Sequence, residues 1–105
     1  MYGVITTVPA PVEMYDAMHA EMLKMMPRSD ASVNGCLVHV GRATPDGFEV
    51  LEVWESKEHY DRANAEIVFP LMQKLAGDQP APRIEQATEA FEVHGLVIPL
   101  GDILI

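Results

Sequence analysis

The sequence is poor in the residues that form disulfides, metal sites and nucleic-acid surfaces. Its 105 residues include one cysteine, and seven basic residues stand against sixteen acidic ones, giving a formal net charge of −9. The lone Cys36 excludes an internal disulfide. The negative charge repels a phosphate backbone and an anionic membrane surface, so we expect neither nucleic acid nor a membrane as a partner.

Long hydrophobic runs and the motifs of common cofactor sites are also missing. No apolar run approaches the roughly 20 residues that span a bilayer, and the N-terminus lacks the basic and apolar regions of a secretory signal. A cytoplasmic protein is therefore expected. The sequence has no His-x-His, Cys-x-x-Cys or His-Glu-x-x-His spacing and no glycine-rich phosphate loop, so we expect no bound metal and no cofactor.

The residues that are present predict a single domain over residues 1–105. Hydrophobic residues make up 49% of the 105-residue chain. A chain of this length and composition can form one hydrophobic core but is too short for two independent domains. Strands are indicated by β-branched runs, and helices by apolar residues at three- and four-residue spacing. In chain order the predicted elements are strand one (2–8), helix one (12–26), strand two (36–42), strand three (48–54), helix two (57–77, bent near Pro70) and strand four (91–98).

A tight turn joins strands two and three. Thr44-Pro45-Asp46-Gly47 is typical of a type I turn followed by a bulge at the glycine. If Thr44 pairs with Phe48 across that bulge, His39 lies opposite Val53. A slip of one residue places His39 beside Glu52 instead, and we prefer the first register because turn type fixes the register of short hairpins.

The order of elements predicts a ferredoxin-like βαββαβ fold of the α+β class, with four antiparallel strands and both helices on one face of the sheet. Strand three carries Val50 and Trp54 on one face and Leu51 and Val53 on the other, so both faces need a cover. Two helices cover only one face. A second copy of the chain is the commonest cover for the other, and we expect a homodimer.

The pattern Phe48-x-Val-Leu-Glu-Val-Trp-Glu-Ser-Lys-Glu-x-Tyr60, followed by Pro70, Gly77 and Phe91-Glu-Val-His94, resembles the antibiotic biosynthesis monooxygenase-like proteins of the dimeric α+β barrel superfamily. The resemblance covers nearly the whole chain and implies a dimeric α+β barrel. Members of the superfamily oxidise aromatic polyketides or degrade haem, and some have no known activity. The haem-degrading branch uses a tryptophan and a histidine ligand on helix two. Ala63 and Gln73 occupy those positions here, so that branch fits poorly.

The resemblance to the quinone-forming branch assigns candidate roles to residues between the sheet and the helices. Trp54 would form the platform for a flat aromatic substrate, and several side chains could transfer protons. The candidates for proton transfer are Tyr60, Asn64, His39, His94 and Glu52, and the candidates for the substrate-binding wall are Trp54, Met18, Met22 and Ile67. His19 and His59 read as exposed surface residues.

Each candidate also has an ordinary structural interpretation. Trp54 suits a core position, because an indole buries a large area in either role. Glu52, on a strand with apolar neighbours, needs either a partner or a raised pKa. The strand histidines can be neutral side chains bonded to the backbone. The resemblance nevertheless implies a cofactor-independent monooxygenase acting on an aromatic or polyketide-like molecule, and this is the leading hypothesis. The alternatives are a non-catalytic small-ligand-binding or stress-related dimer, and a lyase or cyclase that uses Glu52 or a histidine as base.

Overall fold

The computed structural model describes residues 1–25, 35–77 and 86–98, and the predicted connections at residues 27–32 and 78–82 and the apolar tail from residue 100 lie outside this description. The described elements are β1 (Tyr2–Val8), α1 (Val12–Met25), β2 (Cys36–Thr44), β3 (Gly47–Trp54), α2 (Lys57–Ala63), a π-helical turn (Asn64–Val68), α3 (Phe69–Ala76) and β4 (Ala87–Glu92). Their order confirms the predicted ferredoxin-like βαββαβ arrangement.

The four strands form one antiparallel sheet in the order β2-β3-β1-β4. The two central strands, β3 and β1, contain the buried residues of the sheet, and Val4 on β1 is fully buried. Val4 pairs with Glu52 on β3, and Tyr2 pairs with Trp54. Since paired residues point to the same side of a sheet, these four side chains share one face, which is the face that the helices cover.

The helices begin and end where the sequence provides caps. The Ser56 hydroxyl accepts a hydrogen bond from the His59 backbone N–H at 3.2 Å, which is the N-cap geometry at the start of α2. Gly77, at φ +66°, ends α3 in a conformation that favours glycine. The π-helical turn comes directly before Pro70, whose ring removes one backbone donor from the helix. The predicted helix two is therefore one helix interrupted by a π-helical turn.

The predicted register of the β2–β3 hairpin is wrong by one residue. Thr44 pairs with Gly47, and Pro45 and Asp46 alone form the turn, so no residue is left over for a bulge. Gly47 is not among the glycines with positive φ in the described chain; these are Gly35 and Gly77. The Val8–Ala10 backbone lies so close over Gly47 that a Cβ would overlap it. The glycine is thus required by close packing, and His39 lies opposite Glu52.

Strand four is also displaced from its predicted position. It covers Ala87–Glu92 instead of 91–98, and its last residue, Glu92, pairs with Tyr2. Because β1 begins at Tyr2, the apolar residues that follow Glu92 have no partner strand there. The apolar run from Val93 therefore has strand-like composition without strand pairing.

The sheet face opposite the helices carries an apolar row that runs from the edge strand β2 across the two inner strands β3 and β1. Val40 on β2 pairs with Leu51 on β3, and Leu51 pairs with Ile5 on β1. The Phe91 ring lies over Gly3 on the same face, and both Phe91 and Val40 are exposed, Val40 by 51%.

Within residues 1–25, 35–77 and 86–98, no helix is both long enough and apolar enough to cross a bilayer.

Candidate functional site

A paired carboxylate and imidazole lie on the helix-covered face of the sheet. The one-residue register difference brings His39 of β2 opposite Glu52 of β3. His39 Nδ1 is 3.0 Å from Glu52 Oε2, and the two side chains are only 22% and 15% exposed. A carboxylate at this distance accepts the Nδ1 hydrogen, which fixes His39 in the Nδ1–H tautomer when the ring is neutral.

Tyr15 approaches the same histidine from helix α1. Its hydroxyl lies 2.9 Å from His39 Nε2, the nitrogen that the tautomer leaves as an acceptor. The two rings are nearly parallel, with centroids 5.9 Å apart, and Phe48 supports the tyrosine ring from the sheet at 5.6 Å. Burial raises the pKa of Tyr15 above its ordinary value, and the charges of Glu52 and Asp16 raise it further. Tyr15 is therefore a neutral phenol at physiological pH.

His19, one helical turn beyond Tyr15 on α1, completes this group. Its Nδ1 is 3.5 Å from the Tyr15 hydroxyl, and its ring is nearly parallel to those of Tyr15 and His39 at centroid distances of 5.3 and 5.6 Å. We call Tyr15, His19, His39 and Glu52 the Tyr15 cluster. It joins α1 to the two strands of the hairpin through titratable side chains that are all half-buried.

A second group surrounds Trp54, which is only 6% exposed. Its ring meets Tyr60 edge-on at 5.9 Å, and Tyr60 in turn contacts Tyr2 at 5.4 Å. The indole Nε1–H is buried and has no hydrogen-bond partner among the described residues. The residues packed together here, called the Trp54 cluster, are Val4, Trp54, Ala63, Tyr2, Cys36, Tyr60 and Ile67.

The two clusters are neighbours. Glu52 and Trp54 are two residues apart on the same face of β3, a separation of about 7 Å along an extended strand. Between the sheet and the helices, the described part of the chain thus presents an indole donor without a partner at one end and a hydrogen-bonded carboxylate, imidazole and phenol at the other. This combination can bind a carbonyl or phenolic oxygen and can move a proton to or from it.

No protein-family model and no curated protein matches the sequence. Solved structures do match its fold. An antibiotic biosynthesis monooxygenase superposes with a TM-score of 0.58 at 16% identity, covering 90% of this chain and 100% of the other. The haem degrader MhuD from Mycobacterium tuberculosis, with two haems bound in its active site, gives 0.53 at 17% identity over 92% and 99% of the two chains. A putative antibiotic biosynthesis monooxygenase from Deinococcus radiodurans gives 0.51 at 19% identity over 96% and 100%.

The chain has the antibiotic biosynthesis monooxygenase fold. This confirms the resemblance read from the strand-to-helix segment around Trp54. At these identities the likeness establishes the fold and leaves the reaction open.

The residues of this chain do not fit haem at the positions used by the haem-degrading branch. Ala63 is 7% exposed and packs in the Trp54 cluster, where a tryptophan would be needed. Gln73, at the ligand position, is exposed on α3 and donates to the Gly77 carbonyl at 3.5 Å. An amide does not replace an imidazole as the axial ligand. In the described part of the chain, moreover, no three His, Cys, Asp or Glu side chains are arranged to hold a metal ion.

The structure brings some of the predicted site residues together and leaves others apart. His39 and Glu52 are in direct contact, and Trp54, Tyr60 and Ile67 pack in one cluster. His94 is 87% exposed, with Glu92 3.9 Å away, and lies in neither cluster. The remaining candidates, each half-buried on its helix, are Met18, Met22 and Asn64.

Sequence reasoning missed Tyr15 and took His19 for a surface residue. His59 is also half-buried, because its Nδ1 lies 2.6 Å from the Ser56 hydroxyl and its ring packs on Gly35. The sequence did indicate that Tyr15 faces inward. Tyr15 lies three residues before Met18 and seven before Met22, and so belongs to the same inward stripe of α1.

Proposed function

We propose that this chain binds a small phenolic aromatic molecule, of polyketide-like type, between its sheet and helices and oxidises it with molecular oxygen without a cofactor. The observation that carries the proposal is the half-buried His39–Glu52 pair, which lies on the same face of β3 as the unpaired Trp54 indole. The antibiotic biosynthesis monooxygenase fold supports the reaction class, and the pair supplies the base that such a reaction needs.

The reaction itself needs little from the protein beyond proton transfer and shape. A phenol that has lost its proton is electron-rich enough to react with oxygen. One oxygen atom enters the ring to give a quinone, and the other leaves as water, so that ArOH with a ring hydrogen plus O₂ gives the quinone plus H₂O. Substrate and oxygen exchange four electrons and no external reductant is consumed. The proton removed at the start is returned when water forms, so the base must hold it reversibly.

In this proposal His39 holds that proton, and Glu52 orients the imidazole and stabilises its cationic form. The Trp54 Nε1–H donates to a substrate carbonyl or phenolic oxygen, which satisfies a buried donor that has no partner among the described residues. Tyr60, edge-on to Trp54, forms the adjoining wall. The half-buried thioethers of Met18 and Met22 suit the adaptable side of a pocket for a flat ring.

We also propose that the working unit is a homodimer. The apolar row of Val40, Leu51 and Ile5 lies on the sheet face that the helices leave open. A second copy covering this face would also limit the access of water to the region between sheet and helices.

Oxygen consumption with a panel of polycyclic phenols and anthrones tests the function. The purified, chelator-treated protein is expected to be colourless and to consume one O₂ per quinone formed. Glu52→Gln should lower kcat/KM by about 10²- to 10⁴-fold, the usual contribution of general acid–base catalysis. Glu49→Gln is the matched control, because Glu49 lies on the same strand, with its carboxylate paired to Arg42. Equal losses in both variants would contradict the proposal, as would a requirement for flavin, haem or metal.

The enclosure of Trp54 favours a second candidate, the non-catalytic binding dimer. At 6% exposure the ring is part of the core and offers little free surface in the described chain. Tight binding of aromatic molecules without oxygen consumption would select this candidate. Turnover of a bound phenol or polyketide that proceeds equally well under nitrogen would instead select the lyase or cyclase.

A further inference from the structure

We propose that Tyr15 is a further catalytic residue of this site: its hydroxyl accepts the acidic proton of the substrate while passing its own proton to His39. The inference rests on the proposed function and adds the group through which the base acts. It follows from the way in which the hydrogen-bonding groups of the Tyr15 cluster are already engaged.

Both ring nitrogens of His39 have partners in the structure. Nδ1 lies 3.0 Å from the Glu52 carboxylate and Nε2 lies 2.9 Å from the Tyr15 hydroxyl. An imidazole has only these two sites for a proton. A substrate can therefore reach neither nitrogen without displacing a partner, whereas the Tyr15 oxygen keeps a lone pair through which a proton can enter this chain of hydrogen bonds.

The direction of the hydrogen bonds suits a relay toward Glu52. Since Glu52 accepts the Nδ1 hydrogen, His39 Nε2 carries the free lone pair, and the Tyr15 hydroxyl donates to it. The tyrosine oxygen then keeps lone pairs that can accept a hydrogen bond from a substrate O–H. His19 Nδ1, 3.5 Å away, is the other nitrogen close to that oxygen.

The electrostatic surroundings favour a coupled transfer over an ionised tyrosine. Among the described residues, His19 from α1 and His39 from β2 contact the Tyr15 hydroxyl, and the charges of Asp16 on α1 and Glu52 on β3 act on it. Burial and the two carboxylates raise the pKa of Tyr15, which disfavours a tyrosinate. A phenol that gains one proton as it loses another never carries that charge.

The proposed step is balanced without any redox change. The substrate O–H bond breaks and its electron pair stays on the substrate oxygen. The proton forms a new O–H bond to Tyr15, the original Tyr15 O–H bond breaks, and that proton forms an N–H bond to His39 Nε2. The products are a substrate anion and an imidazolium that faces the unchanged Glu52 carboxylate.

The test uses 4-cyanophenol, whose neutral and ionised forms absorb at different wavelengths. It is titrated with protein under nitrogen at about pH 7, where the free probe and an ordinary imidazole are both mainly neutral. The wild type should bind the probe in its ionised form. In Tyr15→Phe the ionised fraction of bound probe should fall by at least about tenfold, because the ring remains and only the relaying oxygen is lost. Glu49→Gln is the control, since its carboxylate pairs with Arg42 outside both clusters.

A second measurement uses the wild type alone and so does not depend on any variant folding. The ¹⁵N NMR signals of His39 should shift toward those of an imidazolium when 4-cyanophenol binds, because the relay delivers a proton to Nε2. His39 signals that do not change on binding would overturn the relay, and so would a wild type that fails to bind or ionise the probe. Full ionisation by folded Tyr15→Phe would show that His39 acts directly.

The outcome for the relay can be separated from that for the monooxygenase. Ionisation of the probe by the wild type but not by Tyr15→Phe, without oxygen consumption for any phenol, would contradict the oxidation and leave the relay standing. Unchanged oxygen consumption in Tyr15→Phe would confirm the oxidation and contradict the relay.

Discussion

Trp54 illustrates how one residue can belong to the core and still keep an unused chemical group. Its side chain is buried among apolar neighbours, yet the indole N–H has no partner in the described chain. A buried unpaired donor costs about 1–3 kcal/mol. Replacing Trp54 removes apolar contacts, which destabilises the fold, and also removes this cost, which offsets part of the loss.

Trp54→Phe is therefore expected to keep the fold, with a loss of less than about 2 kcal/mol in the free energy of unfolding. Affinity for the aromatic ligand should fall at least tenfold, equivalent to about 1.4 kcal/mol, because the donor for the ligand oxygen is gone. Denaturant unfolding and ligand titration measure the two effects. An unfolded variant, or unchanged ligand affinity, would assign Trp54 to the core alone.

Cys36 allows a prediction about reactivity at the edge of the same cluster. Burial, and secondarily the charge of Glu52, raise the pKa of its thiol from 9.0 to about 12. The thiolate is the reactive form, so its population at pH 8 falls on the order of a hundredfold or more relative to an unfolded chain. A thiolate-specific disulfide reagent should label the native protein slowly and the unfolded protein at once. Rapid labelling of the native protein would contradict the buried position.

The candidate site could be predicted from the sequence only in part. Glu52 was identifiable because a carboxylate between Val50 and Trp54 on an apolar strand must find a partner. Tyr15 was not, because an aromatic residue on the inward stripe of a helix has the same pattern whether it packs or reacts. Its contact with His39 joins residues 24 positions apart, and periodicity within one helix carries no information about that distance.

At the scale of the elements, the types and the order of the helices and strands could be predicted from composition and residue spacing. The pairing between strands could not. The hairpin register differs by one residue from the prediction because Gly47 serves a close backbone approach and not a positive-φ bulge. Strand four differs because its extent depends on where β1 begins. The π-helical turn before Pro70 likewise lies where proline lacks a backbone N–H donor. The sequence predicted a bend there but not the type of turn.

The hairpin register makes a prediction about Gly47. A Cβ at this position would overlap the Val8 carbonyl and crowd the Ala10 backbone, and backbone cannot move aside as a side chain can. Gly47→Ala should lower the free energy of unfolding by more than about 2 kcal/mol. Gly95→Ala is the control, because a Cβ there meets no atom within 4 Å and should change stability by less than about 0.5 kcal/mol. Equal stability of the two variants would contradict the close approach.

For the whole molecule, the distribution of apolar surface is the feature that remains to be explained. The helices cover one face of the sheet, and the cores of both clusters lie beneath them. The opposite face keeps Val40 51% exposed, next to Leu51 and Ile5 in the same row, and it keeps Phe91 37% exposed where β4 pairs with Gly3. Contiguous apolar rows of this kind usually mark an interaction surface.

If a second copy covers that face, one charge placed in the middle of the row should separate the subunits. Light scattering is expected to give about twice the 11.6 kDa chain mass for the wild type at micromolar concentration. Val40→Asp should give a monomer, because a carboxylate buried against an apolar partner surface has no compensating charge. Val97→Asp is the control, since Val97 is 83% exposed and lies outside the strands. A monomeric wild type, or a dimeric Val40→Asp variant, would place the subunit contact elsewhere or remove it.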